Sequence, residues 1–171
     1  NVLRVMKVGR DSKGNVILSI ITQNGTDLSK QELDRLTFAS RNFLSISDIK
    51  VYNNEVVGLK LQNVKYTYIN VDFRVDLTSD VDVKELSLKI QAKFLNYFDW
   101  RFWKEDEKVE WDDLFDIVKS QPEVKYIVDT EFYPRGDVEV GKASVPRLRS
   151  FVMRSLDGRI LFENKDLVTS E

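Results

Sequence analysis

The chain has 171 residues, 42% hydrophobic and 32% charged, a balance that fits one globular domain or two small modules and is too apolar for disorder. Its net charge of −2 provides no global basic field to draw it to nucleic acid or an acidic membrane. With no Cys and no His, disulfides, ordinary zinc sites and the Cys–His and Ser–His–Asp nucleophile systems are excluded. Only seven Gly and three Pro imply a backbone built mostly of regular elements, and 11% aromatic content fills a core with some to spare for interfaces. No run approaches the ~18 apolar residues of a membrane span, and no basic segment leads into an apolar run as in a signal peptide. Asn1 stands where an initiator Met would, so the expectation is a processed chain or a piece of a longer one.

In chain order, residues 2–8 and 16–22 are β-branched and strand-like, and Asp11-Ser12-Lys13-Gly14-Asn15 between them supplies turn chemistry, so a hairpin is predicted. Ser29-Lys30-Gln31-Glu32 has capping-box spacing and opens a helix over about 29–42, with Leu33, Leu36 and Phe43 on one side. A short strand is predicted near 48–52. In 69–77, Ile69, Val71, Phe73, Val75 and Leu77 alternate with polar residues, which describes a strand with one wet side. Val64, Tyr66 and Tyr68 have the opposite parity, predicting a bulge or bend near 68–69. Thr78-Ser79-Asp80 reads as an N-cap cluster for a helix over about 80–98, whose stripe is Val83, Leu86, Ile90, Phe94 and Phe98. A shorter helix at 112–120 stops before Pro122, and 123–132 alternates with Val124, Tyr126, Val128 and Phe132 on one face. Leu156-Asp157-Gly158-Arg159 signals a type I′ hairpin. These elements predict an α+β fold: a two-layer strand–helix–helix–strand core on an antiparallel or mixed sheet, with flanking hairpins. The expected organisation is an N-terminal subdomain over 1–58, a central α+β sandwich over 59–133 and an Arg-rich hairpin extension over 134–171.

Chemistry rests on few groups. Glu105, Asp106, Glu107, Glu110, Asp112 and Asp113 crowd one stretch, and hard cations take oxygen ligands, yet the spacing matches no known loop and a solvated acidic connector explains it better. Arg135-Gly136-Asp137 is the integrin-binding tripeptide, although Pro134 and Gly136 account for it as a turn. Asn24-Gly25-Thr26 is a glycosylation sequon with relevance only in a eukaryotic secretory chain. Trp100, Phe102, Trp103 and Trp111 lie in a segment, 99–116, with eight Asp/Glu and three Lys/Arg; such residues serve as core or as interface anchors, and the acids argue against base stacking. Residues 142–159 oppose it with Lys142, Arg147, Arg149, Arg154 and Arg159 against Asp157 alone. The two segments are either ordinary polar faces or complementary patches, which makes Trp100, Trp103, Trp111, Arg147, Arg149 and Arg154 the interface candidates.

The order of the pieces carries a resemblance. Tyr68-Ile69-Asn70-Val71-Asp72-Phe73-Arg74-Val75 leads to a capped helix ending Phe94-Leu95-Asn96-Tyr97-Phe98. Trp100, Val109, the Asp113–Val118 helix, Glu123–Val128, Pro134-Arg135-Gly136-Asp137-Val138, Val145-Pro146-Arg147-Leu148 and Leu156-Asp157-Gly158 follow. Over about 1–163 this resembles the C-terminal part of baseplate J-like proteins, the wedge subunits of contractile phage tails and related injection machines. The Leu28–Leu33 helix is similar to the segment that precedes that module. The resemblance implies a structural, non-enzymatic subunit, a C-terminal portion of a larger protein, with no cofactor and no catalytic residues. It implies assembly with itself, as a homo-oligomer, and with neighbouring baseplate proteins, without nucleic acid or membrane, in a virion tail baseplate put together in the bacterial cytoplasm. Two alternatives stay open: a metal-dependent enzyme using Glu105, Asp106, Glu110 and Asp113, and an adhesion module using Arg135-Gly136-Asp137.

Overall fold

Alternating apolar residues can satisfy a strand only if a second layer covers them, and in the computed structural model two helices do so. The structure describes residues 2–41, 50–52, 55–104 and 107–167; Phe43, residues 48–49, Glu105 and Asp106, which enter the sequence expectations, lie outside them. The described chain divides into two units, one of residues 1–65 with 142–144 and the other of 66–141 with 145–171. The fold is α+β, as its patterning predicts.

In the first unit, β1 (Val2–Arg10) and β2 (Val16–Thr22) form the expected hairpin, paired antiparallel. Its turn is held by Asp11, whose carboxylate accepts the N–H groups of Lys13 and Asn15 at 3.0 and 2.9 Å, while Gly14 takes φ +88°. The capping box closes as predicted: Glu32 accepts from the Ser29 N–H at 2.8 Å, and Ser29 Oγ accepts from the Glu32 N–H at 3.3 Å. Helix α1 (Lys30–Arg41) follows it, and none of its residues is buried. Strands β3 (Lys50–Tyr52) and β4 (Glu55–Val57) pair antiparallel, and β5 (Leu59–Asn63) joins β2 in parallel, a pairing that local pattern does not announce. Met6 in β1, Ile20 and Ile21 in β2, Leu59 in β5 and Val64 just beyond it are buried.

The second unit is a four-stranded sheet in the order β7–β6–β8–β9 under two helices. Strand β6 (Lys65–Leu77) buries Ile69, Val71, Phe73 and Val75 as expected. The inward parity is clear only from Ile69 to Val75; before it Val64 is buried, Lys65 and Tyr68 are exposed and Tyr66 and Thr67 are half-buried, while Tyr66 and Tyr68 meet Arg147 and Arg149 of the neighbouring strand. Tyrosine tolerates that half-wet surface because its ring finds Arg partners there. Helix α2 (Val83–Tyr97) starts later than expected, because Asp80 takes φ +65° and Asp82 supplies the cap, accepting the Glu85 N–H at 3.0 Å. Leu86, Ile90 and Phe94 of its predicted stripe are buried, as is Phe98 just beyond. Helix α3 (Trp111–Lys119) buries Leu114 and Val118.

Strand β7 (Val124–Ile127) corrects the expected inward set: Ile127 is buried and Tyr126 exposed, and a 3-10 turn over Asp129–Glu131 resets the phase so that Phe132 points inward. Strand β7 is antiparallel to β6, and β8 (Ser144–Arg154) is antiparallel to β9 (Ile160–Asn164). Contacts between β6 and β8 climb both strands together, from Tyr66–Arg147 through Tyr68–Arg149 and Asn70–Ser150 to Asp72–Arg154, so these two run in the same direction and the sheet is mixed. The core is a relay of rings: Phe73 lies 5.5 Å from Phe132 and 5.6 Å from Phe151, and Phe151 lies 5.9 Å from Phe94.

The β8–β9 turn is a correction. Type I′ requires φ > 0 at both central residues, but among the described residues of this turn only Gly158 is left-handed (φ +87°). Gly158 N–H returns to Ser155 O at 2.9 Å, which makes the turn type I with a glycine after it.

Candidate functional site

Phe98 caps helix α2, and the next residue organises an exposed turn. The Asp99 carboxylate accepts from the Arg101 N–H at 3.0 Å and from its guanidinium at 2.6–3.1 Å, and this partner holds it below the usual carboxylate range. The turn sends three aromatics to three environments. Trp100 is half-buried and lines a cavity of about 200 Å³ with Asp99, Arg101, Arg147 and Leu148. Trp103 is only 6% exposed and meets the Tyr97 ring edge-on at 6.0 Å. Phe102, a member of the aromatic run but not one of the interface candidates, is 78% exposed.

Beside Phe102 and Trp103 is a second cavity, of about 360 Å³, whose polar wall includes Asp99, Glu107, Glu110 and Asp113. The Tyr97 hydroxyl donates to Asp113 Oδ2 at 3.1 Å and accepts from the Glu110 N–H at 3.3 Å. Burial first, and then the carboxylates of Asp113 and Glu110, push this phenol up to about 12, against the Glu110 N–H that pulls it down. Of the acidic quartet read as a possible metal site, Glu110 and Asp113 come together here, while Glu105 and Asp106 lie outside the described residues. Among the described residues no group of three or more His, Cys, Asp or Glu could hold a metal ion.

Trp111 is half-buried, stacked on Phe115 at 4.8 Å and edge-on to Phe132 at 5.8 Å. Its N–H donates to Asp137 Oδ1 at 2.9 Å, and Lys108 donates to the other oxygen of the same carboxylate. These donors hold Asp137 below the usual carboxylate range. In Arg135-Gly136-Asp137, therefore, the acid serves the start of α3, where the helix dipole favours it, and Arg135 folds back over Tyr133 at 4.8 Å.

The basic candidates separate in the same way. Arg154 is engaged with Asp72 through three donor–acceptor contacts of 2.8–3.1 Å and also donates to Gly158 O at 3.2 Å. Arg147 lies 5.2 Å over the Tyr66 ring and Arg149 lies 6.0 Å over the Tyr68 ring. Arg149 is exposed and has no carboxylate partner among the described residues. The arrangement is a cationic, aromatic-backed sheet face and, beside the exposed Phe102 ring, a cavity whose wall holds Asp99, Glu107, Glu110 and Asp113 together with Lys108.

No protein family model matches the chain, and no curated protein matches it. Among solved structures, the fold is similar to that of a chain in the cryo-EM structure of the anti-feeding prophage (AFP) baseplate, 6-fold symmetrised, with a TM-score of 0.58 and 16% identity. The similarity covers 86% of this chain and 33% of that one, so this chain spans about a third of its neighbour's length. The two share a fold.

Proposed function

We propose that this chain is a structural module of a contractile-tail baseplate, a wedge-type subunit of a phage tail or related injection machine that acts by protein–protein assembly and not by catalysis. The observation that carries the reading is the fold shared with a baseplate chain over 86% of this chain. The element order that resembles baseplate J-like proteins supports it independently. Its partners are further copies of itself and neighbouring baseplate proteins, and it acts in the tail baseplate after assembly in the bacterial cytoplasm.

Deleting the gene that encodes this chain from its host locus tests the reading. The expected result is loss of complete contractile particles by electron microscopy, restored by the gene in trans; particles with normal baseplates would overturn it. Calorimetric titration with Mg²⁺, Mn²⁺ and Ca²⁺ tests the rival enzyme reading. Stoichiometric tight binding that Asp113→Ala abolishes would favour a carboxylate metal site instead.

A further inference from the structure

We infer that the outer sheet face bearing Tyr66, Tyr68, Arg147 and Arg149 binds the acid-walled cavity beside Phe102 of a second copy of this chain. On the cationic side, Tyr68 is 46% exposed and Arg149 stands over its ring, exposed and with no carboxylate partner among the described residues. A guanidinium already stacked on an aromatic ring keeps its donors free and loses less freedom on binding. On the receiving side, Phe102 is the most exposed large hydrophobic residue among those described, at 78%, and it lines one cavity with Asp99, Glu107, Glu110 and Asp113, which outnumber the single cation of that wall, Lys108, itself paired with Asp137 and 4.0 Å from Glu110. An entering arginine meets a ring and carboxylates at once.

A second copy fits because the chain carries both halves: residues 142–159 have five Lys/Arg to one acid, and 99–116 have eight acids to three Lys/Arg. The halves adjoin through Arg147: the cavity it lines and the cavity beside Phe102 share Asn96 and Asp99, the adjacency a two-fold pair needs to make the contact twice. The inference rests on the assembly reading but fails separately from it. If deletion abolishes particles while the purified chain never self-associates, only this contact is overturned.

Sedimentation equilibrium over a concentration series decides it. Wild type is expected to dimerise, and Arg149→Glu and Glu110→Arg each to weaken dimerisation at least tenfold. An equimolar mixture of the two variants should dimerise again, because each supplies the half the other lacks. Phe102→Ala serves as the second cavity variant if Glu110→Arg changes the circular dichroism spectrum. A wild type that stays monomeric at every concentration, variants that match wild type, or a mixture that stays monomeric overturns the inference.

Discussion

Arg154 clasps the Asp72 carboxylate with Nε at 2.8 and 3.1 Å and Nη2 at 2.9 Å, joining β8 to β6 across 82 residues of sequence. The pair ties the end of a late strand to the middle of an early one, and its main-chain neighbour Tyr133 exchanges hydrogen bonds with Asp72 at 2.8 and 3.2 Å. A cation that sequence alone offers to a partner thus organises its own sheet. Because both side chains are about a third exposed (30% and 33%), solvent screens the attraction. A double-mutant cycle with Asp72→Asn and Arg154→Gln, read by urea denaturation, is expected to give a coupling of about 0.5–1 kcal/mol, the upper range for a bidentate pair of this exposure.

Phe73 is fully buried between the rings of Phe132 and Phe151. Phe73→Ala removes the centre of the ring relay and is expected to cost about 3–5 kcal/mol, while Leu88→Ala on the exposed side of α2, at 46% exposure, stays within about 0.5 kcal/mol. Equilibrium unfolding of the two variants checks the contrast. Equal midpoints would place the core elsewhere.

Gly158 takes φ +87°, and a Cβ there would meet Arg74 Nη2 at 3.3 Å. Gly158→Ala therefore combines left-handed backbone strain with a close approach and should cost about 1–2 kcal/mol, with Gly158→Asn costing less because Asn enters that region more readily. Thermal melts of the two variants give the order.

The ionisable groups make opposite predictions at the two ends of the pH scale. Asp137 is lowered by Lys108 and the Trp111 N–H, so its contribution is present above the unfolded carboxyl range, near 3.9, and is lost as pH falls through the lower folded value. Tyr97 is raised to about 12, so its contribution is present below the unfolded value, near 10, and is lost as pH rises through about 12. Asp137→Asn should flatten the acid limb of a melting-temperature profile and Tyr97→Phe the alkaline limb. Ultraviolet titration should show one phenol near 12 that Tyr97→Phe removes.

What was legible in the sequence was local. The 69–77 alternation, the Leu86–Ile90–Phe94–Phe98 stripe and the Ser29–Glu32 box each involve residues within a few positions, and each forms as patterned. Errors arose where tertiary partners decide. Tyr126 and Ile127 both suit a strand, and only pairing with Asp76 and Val75 fixes which one faces the core. Tyr66 and Tyr68 looked like a second inward run because the arginines that cover them are about eighty residues away. At the site, the acidic and basic segments were legible as charge, but not that Arg154 would be engaged at Asp72 or that Phe102 would be the exposed ring while Trp103 turned inward. Composition cannot separate adjacent aromatics in one turn.

Cryo-EM of contractile particles purified from a host that makes this protein tests the central claim most directly. The expected result is baseplate density into which the β7–β6–β8–β9 sheet with α2 and α3 fits, with the protein recovered in the particles by mass spectrometry. Complete particles in which the protein is missing and no baseplate density takes this fold would contradict it.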